Sequence, residues 1–314
     1  MNICFYADHG YWSQLSPNGG TATILHSADT LRKLGHEVSV VASIDRFSWF
    51  KHPKPVKEIP KNTDVCIAVT ISDVPRMLKR TKAKPFYWAR LLENYQMTSP
   101  SLLKQASRVS VLVNSEGLQG WYGKHGIDTQ IVYQGIDLSK WRDLNMHEDD
   151  GIGFLISSKK RKNFDFVMDV VKALGRKYKY YGYGADYNHK IKLFVKDRFL
   201  LYVKNAGYAD LIRMYNLVGK WVSTSTKEGL HNCPLEAGLC GCTVIYPDAS
   251  LAGCSDHCID GKTAWKYKAL DVKSVVEAIE RSDSSLNEDH KDLIVSKIGS
   301  RKDCMKKLID ILKK

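Results

Sequence analysis

The sequence lacks long apolar runs, low-complexity segments and a regular cysteine framework. Among its 314 residues are only 9 Pro and 22 Gly, and no apolar run reaches the roughly 18 residues that a membrane-spanning helix needs. Neither a basic segment nor a small-residue cleavage site follows Met1, so no secretory signal is predicted. The hydrophobic fraction of 44% is sufficient for one large or two ordinary domains. We expect a cytoplasmic protein, with peripheral contact at the inner membrane face as the alternative.

The 8 cysteines lie mostly inside apolar stretches, where free buried thiols are the expectation. Five of them fall between residues 233 and 258, together with His231 and His257. Their C-x-C and C-x3-C spacings differ from the C-x2-C pairs typical of zinc sites. The sequence therefore predicts neither a metal site nor a cofactor.

The charge is strongly one-sided, with 47 Lys and Arg against 34 Asp and Glu and a net charge of +13. Both parts of the chain contribute, since the net charge is +5 up to Leu138 and +8 after it. Such a field favours anionic partners, namely nucleotide phosphates, nucleic acid or an acidic membrane surface. A basic face that only keeps the protein in solution is the alternative.

Short apolar runs alternate with segments of helical periodicity along the chain, which predicts βαβ units and parallel sheets. The polar, acidic stretch 143–150 separates two such series. We therefore predict an α/β protein with two Rossmann-like domains, 1–138 and 139–314, that face each other across a cleft. The last helix is a candidate to pack back on the first domain. Ligands of such sheets bind at the carboxyl ends of the strands.

A pair of glycines, Gly19 and Gly20, lies between the first predicted strand and the first predicted helix. Glycine at this place lets backbone amides approach an anion at the helix N-terminus. The chain has neither a G-x-G-x-x-G fingerprint nor a P-loop at this place. A plain tight turn before a helix is the alternative interpretation.

Two glutamates eight residues apart, Glu228 and Glu236, belong to a predicted loop and to the helix that follows it. A carboxylate at a helix start can accept from both ribose hydroxyls of a nucleotide, and the amides nearby suit a diphosphate. The spacing alone is not specific, because Glu280 and Glu288 repeat it. The residues around Glu228 and Glu236 distinguish this pair from a chance spacing.

The segment 223–245 resembles the E-x7-E signature of GT-B glycosyltransferases, in particular glycosyltransferase family 4, the glycosyl transferases group 1. Further similar segments occur in the family's order over about residues 2 to 281, namely 18–20, 34–38, 113–115, 132–137, 181–184 and 260–265. The resemblance implies a retaining transfer of a sugar from a UDP- or GDP-sugar to an acceptor hydroxyl. It also implies no obligatory metal.

The resemblance further implies roles for individual residues. Glu236 would bind the donor ribose and Glu228 would contact the transferred sugar. Gly19 and Gly20 would face the phosphates. Further donor-binding candidates by the same resemblance are Gly182, Leu235 and Arg161.

The diphosphate gains negative charge as it leaves, so a metal-free enzyme needs fixed cations and amides there. The family usually supplies an Arg and a Lys from the loop after the first strand of the second domain. Lys162 stands on the lysine position, whereas Ser157 stands on the arginine position. Lys159 or Arg161 is a candidate substitute, and a shifted loop is the alternative.

The acceptor side departs from the family as well. The segment 87–95 lacks the histidine that many relatives have near the reacting sugar, and Arg90 and Glu93 are candidates for acceptor or phosphate contacts. We predict a glycan or lipid-linked glycan acceptor, with a hydroxymethylated base in DNA, as in phage enzymes, as the alternative. A nucleotide-sugar epimerase and a non-catalytic nucleotide-sugar-binding protein are further alternatives. The binding protein stays an alternative because Ser157 stands where the family has its arginine.

Overall fold

The computed structural model describes residues 1–10, 12–94, 97–185 and 188–314, which form two compact units. Unit 1 comprises Met1–Ile136 and Gly299–Lys314, and unit 2 comprises Asp137–Ile298. The chain thus leaves unit 1 once and returns to it for its last helix.

Each unit contains a parallel sheet of six strands in its described residues, which confirms the predicted α/β class. The strands of unit 1 are β1 Asn2–Tyr6, β2 Glu37–Val41, β3 Val65–Ala68, β4 Lys84–Ala89, β5 Ser110–Val113 and β6 Thr129–Ile131, in the order β2-β1-β3-β4-β5-β6. Those of unit 2 are β7 Glu148–Leu155, β8 Lys179–Gly184, β9 Leu201–Lys204, β10 Val218–Val222, β11 Thr243–Asp248 and β12 Trp265–Lys268, in the order β12-β11-β10-β7-β8-β9.

Helices connect the strands in both units. They are α1 Gly19–Lys33, α2 Val74–Arg80, α3 Ser99–Ala106, α4 Glu116–Gly123, α5 Phe164–Leu174, α6 His189–Arg198, α7 Tyr208–Leu217, α8 Asn232–Leu239, α9 Val272–Arg281, α10 Asn287–Leu293 and α11 Arg301–Leu312. Among the residues with described structure, no helix combines the length and the apolar character that crossing a bilayer requires.

Local sequence signals account for the ends of the helices. The Asn18 side chain accepts a hydrogen bond from the Thr21 N–H at 3.0 Å, which caps α1, and Gly35 follows the helix with φ +87°. In unit 2, α5 ends at Gly175, where φ is +64°. The apolar face of α5 is buried in the core of unit 2, against residues of the sheet such as Phe154.

The chain leaves unit 1 after Ile136 and returns to it at Gly299, and these two residues are neighbours in unit 1. The Ile136 N–H donates to the Gly299 carbonyl at 3.2 Å, and the Arg301 N–H donates to the Ile136 carbonyl at 3.2 Å. A Cβ on Gly135 would lie only 2.4 Å from the Arg301 Cα, so only glycine permits this approach. Helix α11 begins at this junction and packs against α1.

The strand order of each sheet reverses at one place. In unit 2 the chain runs from β7 to β8 and β9 on one side, and then places β10 on the other side of β7. In unit 1 the corresponding reversal lies between β1 and β3. Loops leave the two central strands in opposite directions at such a switch point, and a crevice opens at the carboxyl edge of the sheet.

Candidate functional site

The switch point of unit 2 brings together the loops that follow β7 and β10. The Lys162 Nζ lies 2.5 Å from the Glu228 Oε1, and the Arg161 guanidinium donates to the same oxygen. Lys162 is only 8% exposed, which is unusual for a lysine. We call Arg161, Lys162 and Glu228 the Glu228 ion cluster.

The ion cluster carries a net positive charge. Burial by itself favours the neutral acid and raises the pKa of Glu228. The neighbouring cations, Lys162 first among them, outweigh burial and lower this pKa to about 2. Two cations therefore share one ionised carboxylate, and the cluster retains attraction for a further anion.

Backbone hydrogen bonds fix the position of these cations. Asn163 adopts the left-handed conformation, with φ 55° and ψ 53°, and its side chain donates to the Thr224 carbonyl at 2.7 Å. The Thr224 hydroxyl donates in return to the Lys162 carbonyl at 2.9 Å. The Thr226 N–H donates to the Arg161 carbonyl at 3.2 Å. The cluster is thus preorganised, as a site that stabilises developing charge needs to be.

Helix α8 begins directly after this loop. Its N-cap residue is His231, whose N–H donates to the Gly253 carbonyl at 2.9 Å and whose Nδ1 lies 3.1 Å from the Ser223 hydroxyl. The first amides of a helix have no partner within it, and the helix dipole favours an anion there. Glu236 belongs to α8, is half-buried and accepts a hydrogen bond from the Tyr215 hydroxyl at 3.3 Å.

Two tyrosines and a cysteine extend the site beyond the residues predicted from the sequence. The Tyr183 hydroxyl lies 2.8 Å from the Tyr215 hydroxyl and donates to the Cys233 Sγ at 2.9 Å. Burial raises the pKa of both tyrosines well above its usual value, so they remain protonated. The available signal was the place of Tyr183 in the G-x-G segment at the end of a predicted strand. Nothing in the sequence pointed to Tyr215.

Two further predicted donor-binding residues have clear packing roles. Gly182 lies inside β8, where an added Cβ would be 2.8 Å from the Phe199 ring. Leu235 is 2% exposed within α8. Their contribution to donor binding stays a prediction.

In unit 1 the structure brings Arg90 and Gly20 together at the switch point between β1 and β3. The Arg90 guanidinium donates to the Gly20 carbonyl at 2.6 Å and to the Val69 carbonyl at 2.9 Å. It also stacks on Trp12, with 5.1 Å between the guanidinium carbon and the ring centroid. Arg90 therefore joins the start of α1, where Gly19 is the first residue, to the loop after β3.

Glu93 is a buried acid in the same unit. It is 4% exposed, and its Oε2 accepts a hydrogen bond from the Ile71 N–H at 2.7 Å. Burial raises the pKa of Glu93 to about 8, and the hydrogen bond from Ile71 offsets only part of this effect. The carboxyl group is therefore largely protonated near neutral pH.

The fold and the site of unit 2 define an α/β protein of the GT-B type, with a cationic cluster and a helix N-terminus at the crevice of a parallel sheet. The family described as Glycosyl transferases group 1 matches residues 150–282, which include the whole site of unit 2. The resemblance found in the motifs is therefore confirmed for this part of the chain, which is most of unit 2.

Solved structures of the GT-B type match the described fold over the full chain. Sucrose-phosphate synthase from Thermosynechococcus elongatus has a TM-score of 0.80 at 14% identity, with 100% of this chain and 98% of that one covered. Anabaena Alr3699/HepE, solved in complex with UDP and glucose, has a TM-score of 0.78 at 15% identity, with 100% and 99% covered. An α-glucosyltransferase in complex with UDP and a 13-mer DNA containing a HMU base has a TM-score of 0.67 at 16% identity, with 100% and 99% covered.

The chain spans about half the length of another match, S. aureus TarM, of which 55% is covered at 14% identity and a TM-score of 0.66. A sequence comparison with curated proteins finds no significant match. The structural similarity at these identities establishes the fold.

Proposed function

We propose that the protein is a retaining glycosyltransferase that moves a hexose from a nucleoside-diphosphate sugar to an acceptor hydroxyl. Unit 2 serves as the donor side and unit 1 as the acceptor side. The single observation that carries this proposal is the Glu228 ion cluster beside the N-terminus of α8, at the switch point of unit 2. Fixed cations and helix amides at one place are suited to a diphosphate leaving group.

The donor is a UDP-sugar in this proposal, with a GDP-sugar as the alternative. Support comes from two proteins of the same fold, HepE and the DNA α-glucosyltransferase, which were both solved with UDP. A thermal-shift panel of UDP, GDP, ADP, CMP and their sugars tests it. A ligand at about 100 times its dissociation constant adds roughly 2.7 kcal/mol to the free energy of unfolding, which raises the melting temperature measurably. If none of these ligands raises the melting temperature, the proposal is contradicted.

In this proposal the cations of the Glu228 ion cluster complement the negative charge of the donor diphosphate. Lys162 and Arg161 hold Glu228 before the donor binds, and they engage the negative diphosphate when it arrives. Glu228 is then available to the hydroxyls of the sugar, and Glu236 accepts from the ribose hydroxyls. The cations stabilise the charge that develops on the leaving diphosphate, so the transfer needs no divalent metal ion in the reaction.

The acceptor is a glycan or lipid-linked glycan in the leading form of the proposal. A net charge of +13 would favour approach to an anionic membrane surface that presents such a glycan. Incubation with a radiolabelled sugar nucleotide, followed by separate counting of lipid-extractable, polymeric and free sugar, identifies this class. Co-sedimentation with vesicles containing anionic lipid tests the peripheral contact.

DNA containing hydroxymethylated bases is the second candidate acceptor. The observation in its favour is the run of basic residues between Lys159 and Lys204, where 13 Lys and Arg stand against 4 Asp and Glu. Binding to phosphates by such residues should weaken steeply as salt rises. Transfer of labelled sugar to duplex DNA with hydroxymethylcytosine or hydroxymethyluracil, compared with unmodified DNA of the same sequence, decides between the two acceptors.

The same experiments separate the proposal from the two alternatives without transfer. A nucleotide-sugar epimerase would change the sugar of the donor with no acceptor present, which is visible by chromatography of the nucleotide sugar. A binding protein would shift in the thermal panel and yet release no nucleoside diphosphate in any acceptor mixture.

A further inference from the structure

A second cluster of reactive side chains lies in unit 2, apart from the residues assigned to donor binding. Three members come from the loop between β11 and β12, namely Cys254, His257 and Cys258, and the fourth is His290 on α10. All four are buried, with exposures between 0% and 4%. Neither the donor nor the acceptor role uses these residues.

Three of these side chains bring their metal-binding atoms close together, and the fourth, His290, approaches two of them. The His257 Nδ1 and the His290 Nε2 are 3.0 Å apart, and the Cys258 Sγ lies 3.3 Å from the first and 3.8 Å from the second. The ligand atoms of Cys254, His257 and Cys258 all lie within 4.8 Å of one another. Tetrahedral Zn²⁺, with Zn–N of about 2.0 Å and Zn–S of about 2.3 Å, holds its ligand atoms about 3.3 to 3.8 Å apart.

We propose that Cys254, His257, Cys258 and His290 bind one Zn²⁺ ion in a closed, structural site. Two thiolates and two neutral imidazoles form one of the usual ligand sets of structural zinc, and the two thiolate charges neutralise the ion. A neutral site is what a buried, apolar environment tolerates. The two cysteines belong to a buried cluster with Val244 and Ala264, and the Cys254 Sγ also lies 3.9 Å from the Ser223 hydroxyl and from the His231 Nδ1.

Hydrogen bonding does not account for the burial of two imidazoles together. One proton can lie between the facing nitrogens of His257 and His290, but each neutral ring carries a proton of its own. The outer nitrogens, His257 Nε2 and His290 Nδ1, have no hydrogen-bond partner among the described residues. At least one buried N–H is therefore unpaired without a metal. Coordination through the facing nitrogens would place a proton on each outer nitrogen, so the metal–ligand bonds would have to offset the cost of both buried N–H groups.

The surroundings of His290 are adapted to its position. A Cβ on Gly238 of α8 would lie 2.4 Å from the His290 Nδ1, so the ring occupies space that only glycine leaves open. The loop with the other three ligands is in turn bonded to the loop of the ion cluster. The Leu251 carbonyl accepts from the Glu228 N–H at 2.6 Å, and the Gly253 carbonyl accepts from the His231 N–H. Zinc would hold this loop against α10 and thereby support the position of Glu228.

This proposal differs from the prediction made from the sequence, which found no zinc spacing among the cysteines. The C-x3-C pair is wider than the usual pair, and His290 lies 32 residues beyond Cys258 in the chain. The fold brings these four residues together, although their spacing in the sequence does not indicate a zinc site.

The test is the metal content of the full, untagged chain, purified without chelator after expression with added zinc. We expect about one zinc ion per chain by elemental analysis. Replacement by Co²⁺ should give the visible absorption of a tetrahedral ion and a near-ultraviolet thiolate charge-transfer band. Absence of bound zinc together with no tetrahedral Co²⁺ spectrum would overturn the proposal.

Matched variants locate the site. Cys258→Ser and His290→Asn should each lose the bound zinc and change the cobalt spectrum, whereas Cys304→Ser, at a buried cysteine of unit 1, should retain one ion. Retention of zinc by both cluster variants also overturns the assignment. If a variant fails to fold, the cobalt spectrum of the wild-type chain still decides, because thiolate and imidazole ligation shows in it directly. None of these measurements depends on transferase activity.

Discussion

The Lys162 Nζ and the Glu228 Oε1 lie 2.5 Å apart, although these residues follow two different strands of the sheet. Their contact exists because β7 and β10 are neighbours at the place where the strand order reverses. A buried lysine is stable only with a charged partner, and this partner is itself a group that the proposed reaction would use. Under the proposed function, binding of an anionic donor would reorganise the ion pair, and we therefore expect both residues to be sensitive to substitution.

The two glutamates of the E-x7-E segment should have separable effects. Glu236→Gln should abolish the thermal shift by the nucleotide, because the ribose hydroxyls lose a charged acceptor. Glu228→Gln should retain or strengthen this shift, because Lys162 and Arg161 become free for the diphosphate, while kcat falls by about 100-fold or more. Melting temperatures with and without UDP, together with transfer rates, measure the two effects.

The chain provides its own control for this pair. Glu280 and Glu288 have the same spacing, and Glu280→Gln and Glu288→Gln should change neither the nucleotide shift nor the transfer rate. Equal, small effects of all four substitutions would contradict the assignment of the motif.

Lys162 should matter far more than the lysine two positions before it. Lys162→Met removes a fixed cation from the proposed diphosphate site, and we expect kcat to fall by about 100- to 1,000-fold, as on loss of one preorganised group. Lys160→Ala, at an exposed position of the same turn, should stay within about twofold of wild type. Steady-state transfer assays compare the two, and similar losses in both would mean that general positive charge, rather than position, is what the loop supplies.

Gly253 should be irreplaceable at the loop that supports Glu228. It has φ +73°, and an added Cβ would lie 2.0 Å from the Gly229 carbonyl oxygen and 2.9 Å from the Glu228 Cβ. Gly253→Ala should therefore displace this loop and reduce kcat/KM by at least about tenfold, equivalent to 1.4 kcal/mol. Gly175→Ala is the matched control, because φ is +64° and no atom lies within 4 Å of the added Cβ.

The control substitution should show backbone strain alone. We expect Gly175→Ala to lower the free energy of unfolding by roughly 1–3 kcal/mol and to leave transfer unchanged. If the two alanine variants lose activity equally, steric overlap at Gly253 is not the cause.

Glu93 should make stability depend on pH. Its folded-state pKa of about 8 lies above the ordinary value of 4.5, so the folded protein holds a proton that the unfolded chain releases between these limits. The stabilisation is complete below about pH 4.5 and is lost as pH rises through 8, by at most about 1.4 kcal/mol for each pH unit. Glu93→Gln should flatten the fall in melting temperature between pH 5.5 and 8.5. Glu116→Gln, at an exposed site on α4, should leave it unchanged.

Transfer should not require an added divalent ion. With Lys162 and Arg161 at the diphosphate, reactions in EDTA should run within about twofold of reactions with Mg²⁺ or Mn²⁺. The proposed zinc is buried and closed, so brief exposure to chelator should leave it in place. A rate that collapses in EDTA and recovers on addition of Mg²⁺ would show that a metal ion, and not the two side chains, balances the leaving group.

Periodicity and turn residues predicted the two parallel sheets, because buried parallel strands read as short apolar runs. The prediction for the start of helix α1 was equally direct, since the predicted helix follows the Gly19–Gly20 pair and α1 begins at Gly19. The acidic stretch 143–150 was read as a break between domains, yet β7 begins at Glu148. Its Oε2 accepts from the Tyr181 hydroxyl at 2.7 Å and lies 3.1 Å from the Lys179 Nζ, so the neighbouring strand compensates the charge.

The candidate site was predictable where a local motif marks it and not elsewhere. Glu228, Glu236 and Lys162 stand in recognisable segments. The Tyr183–Tyr215 contact and the approach of His290 to Cys258 join residues from separate elements, and no local pattern encodes such contacts. Arg90 was found by its place after β4, but its hydrogen bonds to backbone carbonyls depend on the fold of unit 1.

The return of the chain to unit 1 has a consequence for biosynthesis. Residues 1–136 leave the ribosome before unit 2, but α11, which packs against α1, is made only after all of unit 2. Unit 2 is inserted into unit 1 at the point where Ile136 forms hydrogen bonds with Gly299 and Arg301. Unit 2 can therefore complete its fold during synthesis, whereas unit 1, which is begun before unit 2, is completed only after it.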